Sequence, residues 1–267
     1  MDDIVNHLPV ITMTQDTRPL TSPTNRVQRV RHELHRRDLQ VVRVEPVGPG
    51  FRRITFTGES LAGFVSASFD DHVKLFLDPA DGTEPVRRDY TPRRFDAAAG
   101  ELSIEFALHG DGPAANWAAQ ATPGQRATIG GPRGSFIIPT DFDWHLLVGD
   151  ETALPAIARR LEELPAGVQV FVVLHVENPA DRRVLDSAAT VHVQWVDDAA
   201  ALIDAVRALV LPEGEGYAWC AGEAGAMAAV RRVLVEEKGQ DPRAIRAAAY
   251  WKRGASAHHE NLEAGPN

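Results

Sequence analysis

Trp144-His145-Leu146-Leu147-Val148-Gly149-Asp150-Glu151-Thr152 is the stretch on which the fold turns. Its first five residues form an unbroken apolar run, too short for a helix, which reads as a strand buried on both faces. Gly149 to Thr152 then lead into a helix that runs through Leu164, with Thr152 placed to cap its start. The same alternation continues downstream. Val168–Val176 and Val191–Val196 are further apolar runs, Ala199–Leu209 is helical, Gly216–Ala221 is a short strand and Gly225–Lys238 a helix. Strands alternating with helices predict a parallel sheet covered on both faces. His145, His175 and His192 fall on these strands and read as core histidines.

Upstream the texture is different. Leu39–Val44, Phe51–Thr57, His72–Leu77, Glu101–Leu108 and Arg126–Ile129 are short strand-like runs, broken by Gly48-Pro49-Gly50 and Asp78-Pro79-Ala80-Asp81-Gly82. Short strands with frequent Gly and Pro turns predict an antiparallel β-barrel. The expected organisation is an N-terminal extension over 1–38, a barrel over 39–141, an α/β domain over 142–254 and a tail over 255–267. Within the extension, Val27, Val30 and Leu34 have helical spacing. His32-Glu33-Leu34-His35 is one residue short of the zinc-protease spacing and is discarded.

Composition narrows the function classes. The 267 residues carry 37 Asp plus Glu against 28 Lys plus Arg, a formal charge of −9. That balance argues against a general nucleic-acid binder and requires a local basic patch for any anionic substrate. The single cysteine, Cys220, rules out an internal disulfide and suits a reducing cytoplasm. No apolar run has membrane-spanning length, so no membrane insertion is expected, and the start of the chain lacks the basic region of a secretory signal. The expected location is the cytoplasm.

The chemistry concentrates in Val86-Arg87-Arg88-Asp89-Tyr90-Thr91-Pro92-Arg93-Arg94. In an extended chain Arg88 and Tyr90 share a face and Thr91 points to the other. Pro92 fixes a bend after which Arg93 is expected to return towards the same ligand. A stacking ring, a hydroxyl and two guanidinium groups suit a ligand with a flat aromatic part and an anionic tail, the shape of FAD. An edge strand with a solvated basic run is the competing reading.

Other constellations are individually weaker. His109-Gly110-Asp111-Gly112-Pro113-Ala114-Ala115-Asn116-Trp117 passes from a strand into a helix, where Gly112 and Pro113 leave N–H groups open to a phosphate. Gly130-Gly131-Pro132-Arg133-Gly134 is either a tight barrel corner or a close approach to a ligand. Trp219-Cys220-Ala221-Gly222-Glu223 ends a strand, and Cys220 on local grounds is a small buried apolar residue. Tyr250-Trp251-Lys252-Arg253-Gly254 closes the fold with two aromatics and two cations. His258-His259-Glu260 lacks a third spaced ligand and carries no expected metal site.

Taken in order, these motifs resemble the siderophore-interacting protein family, a branch of the ferredoxin reductase superfamily, from about Gln40 to Gly254. The resemblance implies an FAD-dependent ferric-siderophore reductase using NADH or NADPH. It implies that Tyr90 stacks on the flavin, that Thr91 contacts its reactive edge, and that Arg88 and Arg93 hold the pyrophosphate. Tyr90 and Thr91 are thus the expected catalytic pair. His109, Gly112, Pro113, Ala114, Trp117, Arg133, Asp150, Thr152, Ala153, Cys220, Glu223 and Trp251 complete the expected cofactor set. Lys252 and Arg253 are the expected cations for an anionic iron chelate. A reductase of another acceptor (ferredoxin or free flavin) and a non-enzymatic chelate carrier share most of these motifs, and ferredoxin is a further possible partner. Glu177 favours a free ribose hydroxyl, whereas Arg182 and Arg183 favour a 2′-phosphate.

Overall fold

The computed structural model describes residues 26–77, 86–108, 112–255 and 260–262. The first part is a seven-stranded antiparallel sheet of β2 (Arg36–Pro46), β3 (Phe51–Thr57), β4 (Val73–Leu77), β5 (Val86–Tyr90), β6 (Pro92–Asp96), β7 (Glu101–Ala107) and β8 (Arg126–Gly130). Their order is β5-β4-β8-β2-β3-β7-β6. Alternating apolar residues such as Leu39, Val41, Ile54, Phe56, Val73, Leu75, Leu102, Ile104 and Phe106 fill its interior. The two outermost strands, β5 and β6, are consecutive in the chain, so Tyr90-Thr91-Pro92 spans the gap where the curled sheet stops short of closing. Helix α1 (Pro113–Gln120) plugs one end, with Trp117 stacked 6.3 Å from Phe56 and tilted 5.7 Å from Phe106.

The second part is a six-stranded sheet of β10 (Trp144–Gly149), β11 (Gln169–His175), β12 (Thr190–Val196), β13 (Gly216–Glu223), β14 (Ile245–Trp251) and β15 (Glu260–Asn261), ordered β12-β11-β10-β13-β14-β15. All pairings are parallel except the short β15, which runs antiparallel along the edge of β14. α2 (Leu154–Glu163) lies on one face. α3 (Ala199–Ala208) and α4 (Ala224–Arg232), the latter continued by a π-type turn over Val233–Glu237, lie on the other. The core on the α2 side also takes in Phe51, Phe69, Ile138 and Phe142, so the two sheets share one apolar cluster. The barrel followed by a parallel α/β unit is the predicted fold class.

Three local expectations are corrected. The Val27–Leu34 segment is not helical: Gln28–Arg31 is strand β1, paired antiparallel with β9 (Gly134–Ile137). Arg26 anchors it, reaching Asp141 and Glu215 and lying over the Phe142 ring, while Leu34 is exposed. Unpaired backbone groups along β9 offered the ladder that helical spacing could not signal. Second, His192, on the edge strand β12, is exposed and His175, at the end of β11, is half-buried; of these three, His145 alone is a core histidine. Third, α2 begins without a side-chain cap: Ala153, not Thr152, stands at the N-cap position, and the Thr152 hydroxyl donates to Asp150. The turn at Asp78–Gly82, most of the extension and His258-His259 lie outside the described residues.

Candidate functional site

Strand order reverses between β10 and β13, and their carboxyl ends form the topological switch point where open α/β sheets bind ligands. Asp150 sits there and organises it. Its buried carboxylate accepts from the Thr152 N–H and hydroxyl (2.9 and 2.5 Å), the Glu223 N–H (2.8 Å) and Trp251 Nε1 (2.9 Å). Four donors on one carboxylate fix the ends of β10, β13 and β14 relative to one another. Gly222 makes the approach possible: at φ +152° its position leaves no room for a Cβ, which would lie 2.5 Å from Asp150 Oδ2. Glu223 caps α4 through Ala226 N (3.0 Å), and its other oxygen lies 3.4 Å from Arg253 N.

The barrel reaches this edge through its gap. Thr91, buried where β5 meets β6, lies beside the half-buried Tyr250 of β14, and the adjacent Pro92 carbonyl accepts from Arg159 of α2 (2.8 Å). Tyr90 stays half-buried, with one side packed 4.4 Å from Phe106. Burial raises both phenols, against an opposing pull from Arg88 at Tyr90, so both stay neutral and able to donate. Beneath them Asp70 accepts from Trp219 Nε1 (2.9 Å) and from Arg246, a buried brace between barrel and sheet. The Tyr90–Thr91 corner and the Trp251-Lys252-Arg253 tip are therefore neighbours, and both cations of that tip are exposed.

Three predicted cofactor residues are placed elsewhere. Cys220 is wholly buried under α4, and burial pushes its thiol up to about 12, so it offers neither surface nor thiolate. Ala153 is likewise sealed, in the core beneath α2. Arg93 does not swing back beside Tyr90: it pairs with both oxygens of Glu162 on α2 and lies 3.5 Å from Glu105. The buried Glu105 also holds Arg53 and Arg183; burial works against its ionisation, but the three guanidinium groups prevail and keep its carboxyl below the usual range. Sequence reading missed this cluster and Asp70. Glu105 is 52 positions from Arg53 and 78 from Arg183, and Asp70 is 149 from Trp219, so no local pattern links them.

The family model for siderophore-interacting proteins matches residues 142–254, and that for the siderophore-interacting FAD-binding domain matches residues 40–86 and 78–136. A relative named NADPH-dependent ferric-chelate reductase, from Escherichia coli, is 38% identical, covering 84% of this chain and 96% of that one. The chain belongs to the siderophore-interacting protein family. Ferric vibriobactin reductase ViuB from Vibrio cholerae is similar at 32% identity over 89% and 96%. Among solved structures, a siderophore utilization protein from T. fusca superposes with a TM-score of 0.81 at 34% identity, over 87% of this chain and 98% of that one.

The residues of this siderophore-interacting protein fit an FAD. Tyr90 presents a ring backed by Phe106, which in turn packs on Trp117. Among the described residues, the first turn of α1 has no side-chain cap and nothing lies within 4 Å of a Cβ built on the exposed Gly112, an arrangement that suits a phosphate at the helix N-terminus. Arg88, on the strand leading to Tyr90, and the exposed Arg133 have no carboxylate partner among the described residues. Ala114 and Trp117 face inward and support the helix rather than a ligand side chain; His109 lies outside the described residues. Among the described residues no group of His, Cys, Asp or Glu is arranged to hold a metal ion, and no helix is long and apolar enough to cross a membrane.

Proposed function

We propose that the protein is an FAD-dependent reductase that takes a hydride from NADH or NADPH and passes its two electrons singly to ferric siderophore, releasing Fe(II). The observation that carries this reading is the seating of the flavin-signature corner on the α/β unit: Thr91 lies beside Tyr250, on the strand that leads to Lys252 and Arg253, and the Pro92 carbonyl accepts from Arg159 of α2 (2.8 Å). Bound FAD supplies the conversion of a two-electron donor into one-electron steps, so that one nicotinamide reduces two Fe(III) to two Fe(II) and releases a proton. Reduction weakens the hold of hard oxygen ligands on the iron.

The chain's own residues bind and orient. Tyr90 would support the ring system, and the Thr91 hydroxyl, beside Tyr250, would fix its edge. Arg88 and the α1 N-terminus take the diphosphate. Asp150 aligns the three strand ends over which the nicotinamide lies, and Trp251 is held there by its bond to Asp150. Lys252 and Arg253 attract the anionic chelate, a local positive tip on a chain of formal charge −9. The barrel spans 39–141 and the nucleotide domain 142–254. The single, buried cysteine supports a cytoplasmic setting.

The test is spectroscopic. The purified protein should be yellow, bleach anaerobically with a nicotinamide nucleotide and regain its colour with a ferric siderophore. The double variant Lys252→Ala/Arg253→Ala should keep its flavin while the chelate concentration for half-maximal reoxidation rises at least ~10-fold. Bleaching by reduced ferredoxin alone would replace the nicotinamide donor in this scheme. A colourless protein that still binds chelate would make it a carrier.

A further inference from the structure

Glu177 and its surroundings bear on which nucleotide is used. The inference rests on the nicotinamide reading above and concerns the opposite end of the dinucleotide. A dinucleotide crossing a doubly wound sheet from its switch point places its adenosine ribose against the turn after the neighbouring strand, where a carboxylate takes the 2′-hydroxyl or an arginine takes a 2′-phosphate. In this chain that turn follows β11, next to β10, and begins Val176-Glu177-Asn178.

Both arginines that follow are already engaged. Arg183 is turned towards the barrel, bonded to the buried Glu105 and lying over the Phe51 ring. Arg182 pairs with Asp197 at the end of β12. Asn178 spends its side-chain oxygen on Ala180 N (3.0 Å). Glu177 is exposed, and no cation pairs with it among the described residues. A 2′-phosphate arriving here would bring up to about two negative charges to Glu177 and Asp197, with one guanidinium that is already neutralised. A ribose diol would instead donate to the Glu177 carboxylate.

We infer that Glu177 makes this chain select NADH over NADPH, a departure from what the name of the Escherichia coli relative states for that protein. Calorimetry on the FAD-loaded protein with ADP-ribose and 2′-phospho-ADP-ribose tests this without turnover. ADP-ribose should bind at least ~10-fold more tightly. Glu177→Arg should reverse that order, and Asp197→Ala, which frees Arg182, should narrow it. Tighter binding of the 2′-phosphorylated compound by the unaltered protein would overturn the inference and leave the nicotinamide reading standing. Binding of neither compound, with no bleaching by either nucleotide, would overturn both.

Discussion

Glu105 shows how one buried side chain decides the behaviour of its neighbours. It is completely enclosed and meets Arg53, Arg93 and Arg183, the first two from the barrel and the last from the nucleotide domain. Removing its charge would leave Arg53 and Arg183 without this carboxylate and Arg93 with Glu162 alone, so Glu105→Gln should lower unfolding stability by about 3–5 kcal/mol, measured by urea titration. His145 gives the pH dependence. Burial first, and then the charges of Arg160 and Arg26, depress it from 6.5 to about 3, with a bond to Thr140 opposing. The unfolded chain therefore binds a proton that the folded one refuses, and stability present above pH 6.5 is lost as pH falls towards 3. His145→Asn or His145→Gln should flatten that part of the stability profile, whatever its effect at neutral pH. Burial of His145 was legible from the apolar run around it; that of Glu105 was not, since alternation along β7 sets it on the face opposite Leu102, Ile104 and Phe106. Their partners were not, because nothing local marks an arginine 78 positions away as the mate of a carboxylate.

Elements carry the division between what sequence reveals and what it hides. β10, β11 and β13 were evident from unbroken apolar runs, and their burial follows from helices on both faces. β12 carries the same kind of residues yet is exposed, because position at a sheet edge is a property of topology. β6 and β9 went unread since each opens on a proline or glycine that reads as a turn. The signature corner and the Gly112-Pro113 helix start were readable from residue order only beside a competing structural reading, and the family resemblance decided between the two. For α1 the uncapped start predicts a trade. Gly112→Asp should steady the helix by about 0.5–1 kcal/mol while weakening FAD binding, since the new carboxylate would occupy the phosphate's place. Flavin retained on gel filtration, set against the melting temperature, measures both at once.

At the scale of the molecule, the two sheets are not independent bodies. Phe51, Phe69, Ile138 and Phe142 belong to the same apolar cluster as α2, and Asp70, Glu105 and Arg159 add polar braces across the boundary. Thermal unfolding should therefore be a single transition by calorimetry, with equal calorimetric and van't Hoff enthalpies; two resolved peaks would contradict a shared core. A mechanical consequence follows from the place where the seven-stranded sheet fails to close. A tube slit along its length resists bending but yields readily to twist. Here the slit is crossed by the Tyr90-Thr91-Pro92 peptide, whose Pro92 carbonyl is held by Arg159 of α2 (2.8 Å). Torsion of the cylinder must then carry the aromatic platform and the nucleotide edge along together, which preserves the spacing that electron transfer needs.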